Sequence, residues 1–330
     1  MSARFPIRWI ATFIAEFGLA LALVGPAAAQ DAYPSKPISM VVPFPPGGVA
    51  DIVGRPLADA MGRALGVPVI VENKAGAGGG IGMGYVAKAK PDGYTVLLAL
   101  SSISILPEAD KVTGRAPMYQ FRDFVPIARF TADPTVLAVR AESSWKTLAE
   151  FVAAARGKPG AYSYGSSGNY GTMHVPMEML KSEARLHLLH VPYTGAAPAV
   201  MALLSDQVNA LSTGPASVAQ HVKAGKLRVL AHWGNQPLAA FPGVPSLKEA
   251  GYPVEFAQWS GLFVPAETPD AVVAKLREAA KVAANDPQVR QVMNGAGSPL
   301  QYLDTPEFQA YIAEDAKKLK EAVHRIGKVE

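Results

Sequence analysis

The sequence contains no cysteine, so no disulfide can staple the fold and no lipid can be attached through an N-terminal Cys. Dense blocks of one charge are also missing. The 31 Lys and Arg are scattered among 27 Asp and Glu, for a formal net charge of +4. Nucleic-acid recognition needs a clustered basic face, and this pattern argues against it. Nor is there an apolar run of membrane-spanning length. The nearest candidate, Phe17 to Val24, is short and is preceded by Glu16, so a permanent transmembrane helix is not expected.

What the N-terminus does have is Arg4 and Arg8, then that apolar stretch, then Gly25-Pro26 and Ala27-Ala28-Ala29. A basic region, an apolar region and a small-residue cleavage pattern together read as a signal peptide over 1–29, cut after Ala29. The mature chain is then exported to the periplasm as a free, soluble protein. Loss of two arginines and one glutamate takes the net charge from +4 to +3. With 330 residues, 49% of them hydrophobic and 18% charged, the chain can build two lobes, each with its own core.

The first local pattern of interest is Ile38 to Val42, an apolar run read as a buried strand. Pro43-Phe44-Pro45-Pro46-Gly47-Gly48 follows, and then a helix with apolar positions at Ile52, Leu57, Ala60, Met61, Ala64 and Leu65. Strand, glycine turn and helix start together aim unpaired backbone N–H groups at whatever sits above the strand end. Asp51 falls in the first turn, where a carboxylate suits the helix dipole. The plain alternative is a sharp βα turn and nothing more. The same device returns along the chain. Thr95 to Leu100 reads as a strand ending in Ser101-Ser102. Tyr162-Ser163-Tyr164 leads through Gly165-Ser166-Ser167-Gly168-Asn169-Tyr170-Gly171 into a helix at Thr172. Leu186 to Val191 precedes Pro192-Tyr193-Thr194-Gly195 and a helix over 196–204, and Val208 to Leu211 runs into Ser212-Thr213-Gly214-Pro215. Strands alternating with helices predict an α/β fold with mostly parallel sheets. Two amphipathic helices, about 270–284 and 306–326, are expected to pack on the first lobe.

Several chemistries are weighed and set aside. Asn73 to Gly80 is a glycine loop, but Gly82, Gly84 and Ala87 lie inside the helix, and no acidic residue ends a strand about twenty positions on, as a dinucleotide site needs. Ser166, Ser167 and His174 suggest a hydrolase, yet Gly165-Ser166-Ser167-Gly168-Asn169 misplaces the second glycine of the nucleophile elbow. His187 and His190 stand three apart on a strand, on opposite faces, with no carboxylate or thiol set beside them, so no metal site is expected. No catalytic residue, metal or cofactor is assigned. The loops 43–51, 101–102, 165–174, 193–195 and 212–215 carry no Lys or Arg. Their shared chemistry is neutral hydrogen-bond donation toward an anion, with Ser101, Ser166 and Thr213 among the hydroxyls.

Over nearly the whole mature chain the motifs resemble a known family. Tyr33-Pro34-Ser35-Lys36-Pro37-Ile38, Val42 to Asp51, Val71 to Gly79, Pro91-Asp92-Gly93-Tyr94-Thr95, Tyr164 to Gly168, His190 to Gly195, Ala224 to Arg228, Glu249-Ala250-Gly251 and Thr305-Pro306-Glu307-Phe308 are similar to those of the Bug family. These are the extracytoplasmic solute receptors of tripartite tricarboxylate transporters. The resemblance implies a two-lobed periplasmic-binding-protein fold of the Venus-flytrap kind, with lobe 1 formed by 30–131 and 238–330 and lobe 2 by 132–237. It implies a small carboxylate held between the lobes, and delivery to membrane permease subunits by a monomeric receptor. The alternative is a sensor passing its ligand state to a membrane histidine kinase. Carried over residue by residue, the ligand contacts are Phe44, Gly47, Gly48 and Asp51, then Gly168, Asn169, Thr172 and His174, then Tyr193, Thr194 and Gly195. Three departures from the family pattern stand out: Asn209 in place of an Asp, Val175-Pro176 after the His, and Pro56 inside the first helix. The lobes are expected to hinge near Thr131-Ala132-Asp133-Pro134 and Gly234-Asn235-Gln236-Pro237.

Overall fold

Two five-stranded sheets organise the chain. The computed structural model describes residues 33–329, and the compact body begins at Lys36. The expected signal peptide lies outside the described residues. The first sheet has strand order β2-β1-β3-β10-β4, built from β1 (Ile38–Val42), β2 (Val69–Asn73), β3 (Thr95–Leu100), β4 (Phe124–Pro134) and β10 (Ala257–Pro265). The second has the order β7-β6-β8-β5-β9, from β5 (Val136–Arg140), β6 (Ser163–Ser166), β7 (Leu189–Pro192), β8 (Ala210–Thr213) and β9 (Leu227–His232). In each sheet a single strand opposes the rest: β10 is antiparallel to β3 and β4, and β5 to β8 and β9.

The helices are α1 (Val49–Leu65), α2 (Gly80–Ala87), α3 (Ser102–Thr113), α4 (Leu148–Gly157), α5 (His174–Ala184), α6 (Ala196–Leu204), α7 (Ala219–Lys223), α8 (Asp270–Asn285), α9 (Pro287–Gly295) and α10 (Thr305–Ile326). Local chemistry sets several ends. Gly66 at φ +72° closes α1 in the left-handed conformation, and Asp286 caps α9 by accepting from the N–H groups of Gln288 and Val289. Pro107 sits inside α3 and removes the donor that would reach the Ile103 carbonyl. The buried Tyr119 hydroxyl supplies it instead, donating to Ile103 O at 3.0 Å. That substitution lets the helix run through its proline.

The apolar strands β1 and β3 are buried, as inner parallel strands require. The second core gathers Val136, Ala138, Val200, Leu203, Leu211 and Val229, among others, with Phe241 packed into it and Leu238, Ala240 and Val244 against it. Leu238, Ala240, Phe241 and Val244 thus pack with the second core. The chain crosses between sheets twice. Residues 131–134 are still strand, paired with 257–260, and only Thr135 separates β4 from β5. The return crossing runs from Trp233 to Phe256. The crossings are tied together where Trp233 N–H donates to Thr135 O and Phe256 N–H to Trp233 O, both at 3.0 Å. Helix α10 packs on α3 and β4 and also reaches α5 in the other half. Among the described residues no helix is long and apolar enough to cross a membrane.

Candidate ligand-binding site

The loop between β1 and α1 is shaped by one carboxylate. Asp51 accepts from Gly47 N–H at 2.9 Å, from Arg55 through two bonds of 2.8 Å and from the Asn73 amide at 3.0 Å. The β1–β2 register sets Asn73 opposite Val42, which also lets its amide donate to Phe44 O at 2.9 Å. Burial pushes the Asp51 carboxyl up, and the bonds from Arg55, Gly47 and Asn73 more than offset this, leaving it below the usual carboxylate range. Asp51 is therefore turned inward, holding Gly47 in its left-handed conformation, φ +76°, and the first turn of α1 in place. The Phe44 ring is buried against the glycine run, where a Cβ on Gly79 would stand 3.0 Å from its Cζ.

In the second half the loop after β6 is held from behind. The Ser166 hydroxyl lies 2.6 Å from His190 Nε2 and accepts from Gly168 N–H at 3.2 Å. His174 accepts the Tyr170 N–H on Nδ1 at 3.0 Å, so its proton sits on Nε2. Its ring lies 4.2 Å from that of His190, which stacks on Tyr164 at 4.9 Å. Burial, with smaller contributions from His190 and Lys181, pulls the His174 pKa down to about 2. His190 is pulled down by burial to about 4. Both rings are neutral and face the loop's underside. The Ser166 hydroxyl is fully enclosed, with no face open to an incoming substrate, and His187 is exposed. Tyr193 N–H donates to Ser166 O at 2.9 Å, which docks the 192–195 turn onto the same loop. Thr213 shares its hydroxyl with Ser217 at 2.8 Å.

The two halves meet where these loops do. A Cβ on Gly168 would lie 3.0 Å from Gly78 N, and one on Gly195 would overlap the Pro45 ring, 2.8 Å from its Cγ. A Cβ on Gly48, by contrast, would make only ordinary contacts, 3.5 Å to Pro45 O and 3.7 Å to the Ala196 Cβ. The Gln258 amide, on β10 of the first sheet, donates to the Thr172 hydroxyl of the second half. Around this junction the polar side chains outnumber their partners. Ser101, Ser102 and Ser167 keep buried hydroxyls with no partner, as does Gln258 Oε1. Helices α1, α3 and α6 start here with first N–H groups that lack an intrahelical acceptor, whereas the first two N–H groups of α5, on His174 and Val175, donate to Gly171 O. The serine hydroxyls and helix-start N–H groups are donors with no cation among them, which suits an anion.

The fourteen residues expected from the sequence thus separate by role. Phe44, Gly47, Gly48, Gly168, Asn169, Thr172, Tyr193 and Gly195 come together at the junction, with Ser101 at the end of β3. Thr194 is exposed at its mouth. Asp51, Ser166 and His174 stand behind the loops and hold them, and Thr213 is engaged with Ser217. Gln258 and Asn73 were not singled out by sequence reasoning, and Ser102 and Ser167 were read only as part of the hydroxyl-bearing loops 101–102 and 165–174. Gln258 sits on β10, which starts at Ala257. Among the described residues no group of His, Asp or Glu could hold a metal ion.

A family model described as "Tripartite tricarboxylate transporter family receptor" matches residues 53–328. A protein of Cupriavidus necator described as "UPF0065 protein in gbd 5'region" is 35% identical over 322 residues, covering 96% of this chain and 97% of that one. The solved structure of the periplasmic binding protein BugD superposes with a TM-score of 0.85 at 31% identity, covering 89% of this chain and 99% of that one. MatC from Rhodopseudomonas palustris, solved with bound malate, has a TM-score of 0.79 at 28% identity, with coverages of 89% and 99%.

Proposed function

The chain belongs to the tripartite tricarboxylate transporter receptor family, and from that premise we propose that it captures an organic carboxylate between its halves and delivers it to membrane permease subunits of a tripartite transporter. The family and its structural neighbours are solute-binding receptors, not enzymes. The observation that carries the ligand class is the surplus of buried donors at the junction: the Ser101, Ser102 and Ser167 hydroxyls without partners, beside helix starts and with no Lys or Arg in the loops. A carboxylate there takes donors that otherwise have no acceptor, and each helix start adds about 0.3–1 kcal/mol, more where water is excluded. The relative with bound malate is itself a carboxylate binder.

In this reading Ser102, Ser167 and Thr172, with the backbone of Gly48, Asn169 and Gly195, contact the ligand. Asp51, Asn73, Ser166 and His174 position the loops. The lobes change over at Thr135 and between Trp233 and Phe256, and the receptor works as a monomer in the periplasm after loss of residues 1–29. Closure on a ligand that touches both lobes shifts the population toward the closed form.

The test is a calorimetric titration with carboxylic acids and their matched amides. The acid should bind, its amide should bind at least about tenfold more weakly, and Thr172→Ala should weaken the acid. An amide that binds as tightly as its acid refutes the anion site.

A further inference from the structure

The geometry points to a monocarboxylate with a compact apolar body, aryl or alkyl, as the preferred ligand, its body lodged in a cavity at the mouth of the interlobe junction. This rests on the anion-site reading above. The cavity, of about 610 Å³, is lined from one side by Gly78, Gly80, Leu106 and Met118 and from the other by Asn169 and Tyr193, a size ordinary for small-molecule sites.

The side formed by Leu106 and Met118 is apolar and close-fitting. A Cβ on Gly80 would lie 3.3 Å from Met118 Sδ and 3.6 Å from Leu106 Cδ1, and one on Gly78 would lie 3.4 Å from both Leu106 Cδ2 and Asn169 O. The glycine run therefore makes the room that Leu106 and Met118 border. Met118 is 48% exposed, an apolar and adaptable side chain left facing the opening. The hydroxyls themselves are buried behind this lining and adjoin it along the chain. Ser102 precedes Leu106 by one turn on the same face of α3, and Gly168 adjoins Ser167. A carboxylate seated at Ser102 and Ser167 directs the rest of its molecule outward past Leu106 toward Met118.

Charge decides the class. The charged groups lining the cavity are Asp110 and Arg115, and they pair with each other at 3.2 Å. The wall is therefore neutral. A second carboxylate would enter an apolar space beside Asp110 and compete with it for Arg115, whereas a phenyl or alkyl group fits without desolvating a charge.

Titration of the mature protein with 3-phenylpropanoate, hexanoate, succinate and glutarate, and with 3-phenylpropanamide, tests this. The two monocarboxylates should bind about tenfold or more tighter than the two dicarboxylates. Met118→Arg, checked for an unchanged melting temperature, should weaken 3-phenylpropanoate and strengthen glutarate. Arg115→Ala should leave the preference for 3-phenylpropanoate over succinate within about threefold of wild type. Tighter binding of succinate or glutarate than of 3-phenylpropanoate, lost in Arg115→Ala, would overturn the proposal by making Arg115 the anchor of a second carboxylate. The amide binding as well as its acid would instead overturn the anion site on which the proposal stands.

Discussion

Replacing Asp133 with Asn should make the protein more stable at pH 8 than wild type while leaving it no more stable at pH 5. Asp133 lies two residues before Thr135, where the chain passes between sheets, and is 3% exposed. Its carboxylate accepts from the Ser298 hydroxyl. Burial pushes its pKa up from 3.8 to about 7, with Ser298 and the Arg129 charge pulling the other way. Between those two values the folded protein holds a proton that the unfolded chain releases. Stability therefore falls as pH rises from about 4 to about 7, and this contribution is level above that. A factor of ten in proton affinity is worth about 1.4 kcal/mol. The interval from pH 5 to 7 spans two such factors, so the ceiling is about 3 kcal/mol, and relaxation around the ionised group brings the expected range to about 1–3 kcal/mol. His174 and His190 act with the opposite sign. Their pKa values, pulled down to about 2 and 4, cost stability as pH falls from about 6.5. The wild-type pH profile is a composite, and the difference between Asp133→Asn and wild type isolates the acid. Urea unfolding of both proteins at pH 5 and pH 8 supplies that difference. A variant whose stability relative to wild type is the same at both pH values would refute the reasoning.

Gly195→Ala should weaken ligand binding while sparing the fold, because its φ of 170° is extended backbone that Ala adopts and its Cβ would overlap the Pro45 ring across the junction. Overpacking of about 1–3 kcal/mol corresponds to about a five- to hundredfold rise in Kd by calorimetry; Gly48→Ala, with ordinary contacts, should change it far less, and equal effects of the two would contradict the contact geometry. Tyr170→Phe should loosen the chain's end, since the Tyr170 hydroxyl donates to Gly327 O at 2.6 Å and accepts from Val329 N–H at 3.1 Å. Amide exchange near 327–329 should speed up, and unchanged exchange would mean that the tail is held elsewhere.

The α/β class, the alternation of strands with helices and the loops that meet at the junction were legible in the sequence, because each is a local pattern: apolar strand, glycine or hydroxyl turn, helix start. Helix α6 spans the expected 196–204. Helix α3 was not read, because Pro107 breaks the pattern and the Tyr119 hydroxyl that makes good the loss comes from the loop after the helix, where no helical periodicity announces it. The inward turn of Asp51 depended on Asn73, which arrives beside it only through the β1–β2 register. His174 looks in sequence like a site residue on a helix start; only the stack with His190 and the Tyr170 N–H shows it behind the loop. Gln258 belongs to a strand whose partners lie far away in sequence, so its bond to Thr172 had no local signal.

A crystal structure of the mature protein with a bound carboxylate tests the central claim most directly. The account predicts the carboxylate between the two sheets, its oxygens at roughly 2.7–3.2 Å from hydroxyls of Ser102, Ser167 or Thr172 and from N–H groups at the helix starts, with Pro45 still against Gly195. A carboxylate anchored by a Lys or Arg side chain, or seated on one half alone with the loops 43–48 and 192–195 apart, would contradict it.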